Sequence, residues 1–514
     1  MSRLTVRATL AFFLLVTGAV AAQETAAPSA PALNPSNGPV VSSSNPPPLT
    51  LDECVARALE KNFNVRIQRF STEQARDSVI IAKAGFDPAF TLDSQKSVTK
   101  DAALTNPATG QIAGGLYSNN ESTTLSVSQK IVTGGTLSAN SDLNRDRNVP
   151  SSDWLNPAYT SDVSLSLTQP LLHGAGVDYN LAAIRRAKLG VQIADLNFKS
   201  TVLTVIFNVE TAYYNLIFAR EQYKVQEDSL RLAQELYKEN DIKRQTGVLT
   251  DLDVLQAQVG VATASSQLIL DEQTVHNDED ILLQSLSQRD FSGQVGPVDF
   301  PVMASDPAVS FDLSYKLARD NGPNLAIIQA TIEQFKLDAL TTKRNALPEL
   351  DVNGAIGYNS LGKSYSGALN QVLDDHGHSW QAGVTLNFPI GLRANRALYH
   401  QALASQHSEE TSLEQEDENL TVQVRSAVRA VQTGLESVRA STETATLSEK
   451  QYELEKAKFD AGLVTSFDVL QEQNALLAAR VAELQAKVNL RTAIANLHFL
   501  EGSSLQLYHV NLLQ

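Results

Sequence analysis

The sequence predicts a mainly helical chain with a few membrane β-strands, organised as two copies of one helix, strand and helix-hairpin unit. Three observations lead there: an internal duplication, heptad seams long enough for rods, and segments that alternate apolar with polar residues. Residues 51–93 and 311–353 align without a gap at an offset of 260, matching Asp52 with Asp312, Ala58 with Ala318, Asn64 with Asn324, Ile67 with Ile327 and Pro88 with Pro348. Residues 205–287 align without a gap to 420–502 at an offset of 215, where Gly247 meets Gly462, Thr250 meets Thr465 and Asp253-Val254-Leu255-Gln256 meets Asp468-Val469-Leu470-Gln471. Self-similarity at matched offsets marks one structural unit used twice.

The chain begins with Arg3 and Arg7, an apolar run from Ala8 to Val16 and small residues up to Ala22. That pattern predicts a secretory signal over residues 1–22 with an Ala19-Val20-Ala21 cleavage site, too short to span a bilayer permanently. Residues 23–48 carry seven prolines among Ala, Ser and Asn, and are expected to be a flexible linker. The first repeat is placed at 49–288, with strands at about 89–170 and a hairpin tip near 247. A connector at 289–310 leads to the second repeat at 311–503, with strands at about 349–389 and a tip near 462, and then to a tail at 504–514.

In the second block Phe198, Val202, Val205, Val209, Ala212, Leu216, Ala219, Tyr223, Gln226, Leu230, Ala233 and Tyr237 alternate spacings of four and three, as do Leu420, Val424, Ala427, Val431, Gly434, Val438 and Ser441. Such a seam belongs to a coiled coil, and at 1.5 Å per residue about forty residues make a rod of about 60 Å. Leu252, Leu255, Val259, Ala262, Ser266 and Ile269, and likewise Phe467, Leu470, Asn474, Leu477, Val481 and Leu484, keep the same beat. They are expected to return antiparallel along the first helices. Small seam residues with Gln, Asn, Ser and Thr between them suit a thin wall wetted on both sides; a solid coiled coil is the alternative.

Trp380, Ala382, Val384, Leu386 and Phe388 alternate with Gln381, Gly383, Thr385 and Asn387, and Leu350, Val352, Gly354, Ile356 and Tyr358 with Asp351, Asn353, Ala355 and Gly357. A soluble half-buried sheet alternates in the same way. With very long helices around them and no second sheet to pack on, these strands suit a membrane β-barrel shared by several chains. Pro88 to Pro170 is twice as long as Pro348 to Pro389. The surplus, with Thr124–Val132 and Thr136–Leu143 flanking Thr133-Gly134-Gly135, is either an extra membrane hairpin, giving six strands per chain, or an outer loop.

Charge and composition exclude other classes. Without Arg3 and Arg7, 39 basic residues face 57 acidic ones, which argues against nucleic acid. No later run of about 18 apolar residues predicts a transmembrane helix. The single cysteine, Cys54, excludes an internal disulfide.

At the hairpin tips and the duplicated Ala-Leu-x-x-Asn-x-Asn and Ala-x-x-Asn-x-Pro-Asn segments the chain resembles the TolC family of outer-membrane efflux channels, from Leu49 to about Leu505. The tips read Thr246-Gly247-Val248-Leu249-Thr250-Asp251-Leu252-Asp253 and Ala461-Gly462-Leu463-Val464-Thr465-Ser466-Phe467-Asp468. The resemblance implies a two-repeat TolC-like protomer of a homotrimer, with strands in one shared barrel in outer-membrane lipid and helices forming a hollow periplasmic tunnel. It implies a passive exit duct for efflux or type I secretion, joined by a periplasmic adaptor to an inner-membrane pump, with no cofactor and no catalysis.

The resemblance further implies a gate at Asp253 and Asp468, with Gln471 where members often carry a second aspartate. Phe459 and Val464 stand where some members have tyrosine and arginine latches, so no salt-bridge latch is assigned. Gly247, Val248, Leu249 and Thr250, with Gly462, Leu463, Val464 and Thr465, are the expected adaptor-docking tip. An aspartate at a helix start is also a common N-cap, which is the plainer role for Asp253 and Asp468.

Gly357-Tyr358-Asn359-Ser360-Leu361-Gly362-Lys363-Ser364 fits a phosphate-loop pattern, but Tyr365-Ser366-Gly367 does not read as the helix start such a loop needs. Asp374, Asp375, His376 and His378 read as a solvated turn rather than a metal site. The rival functional class is an exported coiled-coil spacer or anchor without channel activity; an exported hydrolase would need a catalytic constellation that the sequence does not show.

Overall fold

The computed structural model describes residues 49–105, 107–110, 112–113, 115–149, 151, 153–287, 295–298, 300, 309–373, 377–388 and 390–510. The expected signal and linker, Asp374, Asp375, His376, Pro389, most of the 289–310 connector and the last four residues of the tail lie outside the described residues. The first repeat runs α1 (Leu51–Lys61), α2 (Phe63–Ala84), β1 (Ala89–Lys100), a small hairpin β2 (Leu104–Thr105) and β3 (Ile112–Ala113), β4 (Tyr117–Lys130), β5 (Thr136–Val149), β6 (Ala158–Pro170), α3 (Val177–Asn180), α4 (Ala182–Gln245) and α5 (Asp251–Ser285). The second runs α6 (Phe311–Asn321), α7 (Pro323–Asn345), β7 (Glu349–Gly362), α8 (Tyr365–Leu373), β8 (His378–Asn387), α9 (Arg393–Asp460) and α10 (Ser466–Glu501), followed by the short α11 (Ser504–Leu507).

Helix boundaries recur at the two sequence offsets because the same local devices recur. α1 breaks at Asn62, whose amide still bonds Ala58 O at 2.7 Å while its side-chain oxygen accepts from the Asn64 amide at 2.8 Å to start α2. The second copy breaks at Gly322, whose amide bonds Ala318 O at 2.8 Å, and restarts on Pro323, a residue that gives up no needed donor in the first turn.

The strands form one antiparallel sheet in the order β1-β4-β5-β6-β7-β8. The surplus segment of the first repeat is therefore a hairpin inside the sheet, with six long strands per chain. Its turn lies at the helical end: Gly134 takes φ +97°, the Gly176 amide donates to Thr133 O at 3.0 Å and Gln169 Nε2 donates to the same oxygen at 3.2 Å.

Helix α8 corrects the reading of the phosphate-loop pattern, since a helix does begin just after Lys363-Ser364, with Ser364 Oγ accepting from the Gly367 amide at 3.2 Å. Residues 357–362 are nevertheless extended strand paired with β6, from Ser164↔Gly357 to Tyr159↔Gly362. Backbone held in a ladder cannot curl round a phosphate.

Two pseudo-equivalent cores hold the helices. Ala58 and Ala318, Val209 and Val424, Leu216 and Val431, and Leu282 and Leu497 correspond by repeat and are all buried. Each buried Val or Leu contributes roughly 1.5–3 kcal/mol. Helix α4 contains the one described helical stretch long and apolar enough to cross a membrane, and 67% of it is buried, which makes it a core helix. Cys54 is also buried, and burial pushes its thiol up to about 12.

Toward the tip the buried line of α4 is Gln226, Ser229, Ala233, Leu236 and Asn240, with Leu230 and Tyr237 only half-buried. On α5 the predicted seam is not the buried one. Ala257, Ala264 and Asp271 face α4, while Leu252, Leu255, Val259 and Ile269 are each more than half exposed. The helix carries two stripes, and the small one packs within the hairpin because small residues let the helices approach closely. The matching stripe of α10 is partly covered within the chain: Leu470, Leu477, Val481 and Leu484 are half-buried while Phe467 and Asn474 are exposed, and beside the stripe Gln473 Nε2 donates to Ser229 O of α4 at 3.0 Å.

One charged group is sealed in the first core. The Tyr508 hydroxyl donates to Glu210 Oε1 at 2.6 Å, while Glu210 Oε2 has no hydrogen-bond partner, and burial pushes this carboxyl from 4.5 up to about 7. Between those two values the native state keeps a proton that the unfolded chain has lost, so stability falls as pH rises from 4.5 to 7. The loss is on the order of 3 kcal/mol. Glu210→Gln is expected to flatten this dependence, read as the shift in urea midpoint between pH 5 and pH 8.

Candidate functional site

The two faces of the sheet follow from its register, because directly paired residues share a face. One face gathers Phe90, Leu92, Leu125, Val127, Leu137, Leu143, Val163, Leu165, Leu167, Val352, Ile356, Trp380, Val384 and Leu386. The other is Ser, Thr, Asn and Asp nearly throughout. Its acidic members are Asp93, Asp142, Asp146, Asp162, Glu349 and Asp351, against Lys130 as the basic one among the described strand residues. Asp93, Thr124, Asp142, Asp162 and Asn359 fall in a single row across five strands. In a membrane barrel the apolar face meets lipid and the polar face lines water, so this row runs round the lumen.

At the other end of the molecule, the tips are built by matching turns. Gly247 at φ +81° and Gly462 at φ +75° end the long helices in a conformation that side-chain-bearing residues rarely adopt. Thr250 and Thr465 are the N-caps of α5 and α10, and the aspartates are their partners three residues on, rather than caps themselves. Asp253 Oδ2 accepts from the Thr250 hydroxyl at 2.6 Å and amide at 2.9 Å; Asp468 Oδ2 accepts from the Thr465 hydroxyl at 2.7 Å and amide at 2.9 Å. These capping boxes hold both carboxyls below the usual range, chiefly through the threonine hydroxyls.

Of the other expected tip residues, Gln471 lies exposed one turn beyond Asp468, whereas Phe459 is 3% exposed and packs against Leu236 and Val469. Phe459 thus faces the interior of the chain, not a channel. Lys243, which sequence reasoning missed, reaches across to it: its Nζ lies 3.7 Å from the ring centroid and donates to Phe459 O at 3.4 Å. This contact pins one tip to the other, and only the folded hairpins bring the pair together. Arg244 bonds Asp241 and Asp251 within its own tip. Gly247, Val248, Thr250, Gly462, Leu463 and Thr465 are exposed, while Leu249 and Val464 are half-buried against the tip core.

A polar niche of about 610 Å³ lies between α4, α5 and α10. Gln222 and Gln267 donate to Asp271 Oδ1 at 2.9 and 3.0 Å. The repeat equivalents of Gln222, Gln226, Gln267 and Asp271 are Ser437, Ser441, Ala482 and Ala486. Polar residues at seam positions were the available signal. Among the described residues no group of three His, Cys, Asp or Glu side chains converges, and His378 is exposed at the start of β8.

A strand sheet that is apolar outside and acidic inside, standing on helical hairpins, defines a channel of the outer membrane whose helices form a periplasmic tunnel. The family model described as outer membrane efflux protein matches residues 142–288 and 314–503. The chain belongs to that family, and is an outer-membrane exit duct of the efflux and secretion type. It is 25% identical over 359 residues to the alkaline protease secretion protein AprF of Pseudomonas aeruginosa, covering 67% of this chain and 70% of the relative. It is 21% identical over 342 residues to the outer membrane protein TolC of Escherichia coli, covering 64% and 66%. Its fold is like those of the outer-membrane channel OprN (TM-score 0.67, 16% identity, covering 88% of this chain and 89% of the other) and of Campylobacter jejuni CmeC (0.66, 17%, 93% and 94%).

The lumen row should set ion preference. The double substitution Asp142→Asn, Asp162→Asn is expected to lower cation selectivity, seen as a reversal potential closer to zero under a salt gradient in planar bilayers.

Proposed function

We propose that three copies of this chain form one duct, each contributing six strands to an eighteen-stranded barrel and both of its repeats, 49–288 and 311–503, to the tunnel wall. The observation that carries this reading is the open stripe Leu252, Leu255, Val259 and Ile269 on α5. Of its repeat counterparts on α10, Leu470 and Leu484 are half-buried within the chain, whereas Phe467 at the tip and Asn474 stay exposed. The stretch of α9 equivalent to that part of α4 includes Leu447, which is more than half exposed, as is Leu454 two turns further on. An unused stripe and an unused acceptor related by the internal repeat are what a ring of identical chains leaves at its cut edges.

Within such a ring Asp253 and Asp468 would converge at the tip with Gln471 beside them, while Phe459 and Lys243 hold the tips of each chain together. Exposed Val248 and Leu463, between the tip glycines and the capping threonines, offer an apolar patch for a periplasmic adaptor, through which an inner-membrane pump supplies the energy. The chain itself acts as a conduit and not as a catalyst. A trimer purified from outer membranes and conducting in planar bilayers tests the whole reading; a detergent-free soluble monomer would support a spacer protein instead.

Val259→Glu places a carboxylate on the open stripe and is expected to convert trimers to monomers on native gels; unchanged trimers would remove the stripe from the interface. At the tip, Asp468→Asn keeps an oxygen for the cap but drops the charge, and Asp468→Ala drops both. Weaker cation block in both variants assigns the carboxylate to the gate. Loss in Ala alone assigns it to the cap.

A further inference from the structure

The outward face of the sheet carries one feature that a lipid-facing wall does not need. Among the described strand residues on that face the basic members are Lys96, Lys100, Arg145 and Arg147, and the acidic one is Glu121. All five sit in the same part of the sheet. Lys96, Glu121 and Arg145 occupy one row, Arg147 lies in the next row out, opposite Asn119, and Lys100 in the one beyond, opposite Tyr117. Lys96 Nζ and Arg145 Nη1 both reach Glu121 Oε1, at 2.7 and 3.3 Å, and the Tyr365 hydroxyl donates to Glu121 Oε2 at 3.2 Å. The single carboxylate thus holds two of the cations in place, and the cluster keeps a surplus of positive charge.

Its height is informative. Glu121 is nine residues from Lys130 at the helical end of β4, and Arg145 nine from Thr136 on β5. At about 3.3 Å per residue and a strand tilt of about 40°, nine residues rise about 23 Å, close to the height of the apolar band of a membrane barrel, about 25 Å. The cluster therefore stands where acyl chains end and headgroups begin, on the side away from the periplasm. Helix α8 lies across the same face beside it: the Tyr365 ring meets Tyr159 edge-on at 4.7 Å, Ser360 Oγ donates to Ala368 O, and Ala368 and Val372 are buried while Leu369 stays exposed. A short helix with one face on the sheet and a Tyr and a Leu toward the membrane is suited to the boundary between headgroups and acyl chains.

We propose that Lys96, Lys100, Arg145 and Arg147 form a site on the outer rim of the barrel for the phosphate of an outer-leaflet lipid headgroup. Guanidinium and ammonium groups pair with phosphate through charge-assisted hydrogen bonds, and α8 supplies an apolar neighbour for the acyl chains. An anion from bulk solution would need no such helix and no position on the rim of the apolar band. The inference rests on the apolar face being the outer one, and goes beyond the duct reading.

The test uses the full-length protein extracted from membranes, with retained lipid counted per chain by native mass spectrometry. Three probes are added separately: a bis-phosphorylated glucosamine disaccharide lipid, zwitterionic phosphatidylcholine and inorganic phosphate. The expected result is preferential retention of the phosphorylated glycolipid, unaffected by millimolar inorganic phosphate. Occupancy should fall about tenfold or more in the double variant Lys100→Gln, Arg147→Gln, and recover in Lys100→Arg, Arg147→Lys. Equal retention of phosphatidylcholine, displacement by free phosphate, or unchanged occupancy in the Gln variant would overturn the site. Both substituted residues lie outside the Glu121 ion pairs, and conductance of the same preparation reports the duct separately. Lost lipid with intact conductance therefore isolates the site, and lost conductance in the unsubstituted protein would instead sink the duct reading.

Discussion

Six strands do not close on themselves in this chain, and in hydrocarbon an open strand edge leaves amides and carbonyls unpaired at a cost of several kcal/mol each. The sheet ends in two such edges, β1 and β8. Much of the rest of the structure answers to that constraint. Copies must meet edge to edge, the faces must segregate so that only apolar side chains meet lipid, and the helices must continue the same ring below the membrane. The open stripe on α5 is a comparable unpaired surface on the helices.

Duplication supplies this ring economically, but the two copies have diverged where they face different surroundings. Glu210 in the first copy, held by Tyr508, corresponds to Arg425 in the second, which lies over the Phe311 ring at 5.0 Å. Asp271, with two glutamine donors, corresponds to Ala486. Lys243 and Phe459 join one tip to the other within the chain, while their repeat equivalents, Lys458 and Arg244, are both cations and repel each other. The two tips are thus chemically distinct although they are built on the same turn and cap.

Much of the fold was legible because its signals are local and repeated. Glycine at the tip turns, threonine three residues before aspartate, proline at strand boundaries and alternation along β7 and β8 each dictate backbone geometry within a few residues. Other features depended on partners distant in sequence. Phe459 looked like a tip residue and proved to be buried, because its neighbours Leu236 and Lys243 lie more than 200 positions away. The buried stripe of α5 was misjudged because a helix with two apolar stripes has one heptad phase for each, and the choice between them lies with the neighbouring helices.

Periodicity and repetition in the amino-acid order were enough to establish the helix hairpins, the strands, the doubled unit and the family resemblance, since these depend on side-chain direction along one element at a time. Tertiary structure alone decided that the surplus segment joins the sheet, that β7 is followed by a helix, and which residues share a row across five strands. Those facts rest on register and on the close approach of distant segments. Register slips by one residue at no cost to local propensity, yet exchanges the face that meets lipid for the face that meets water.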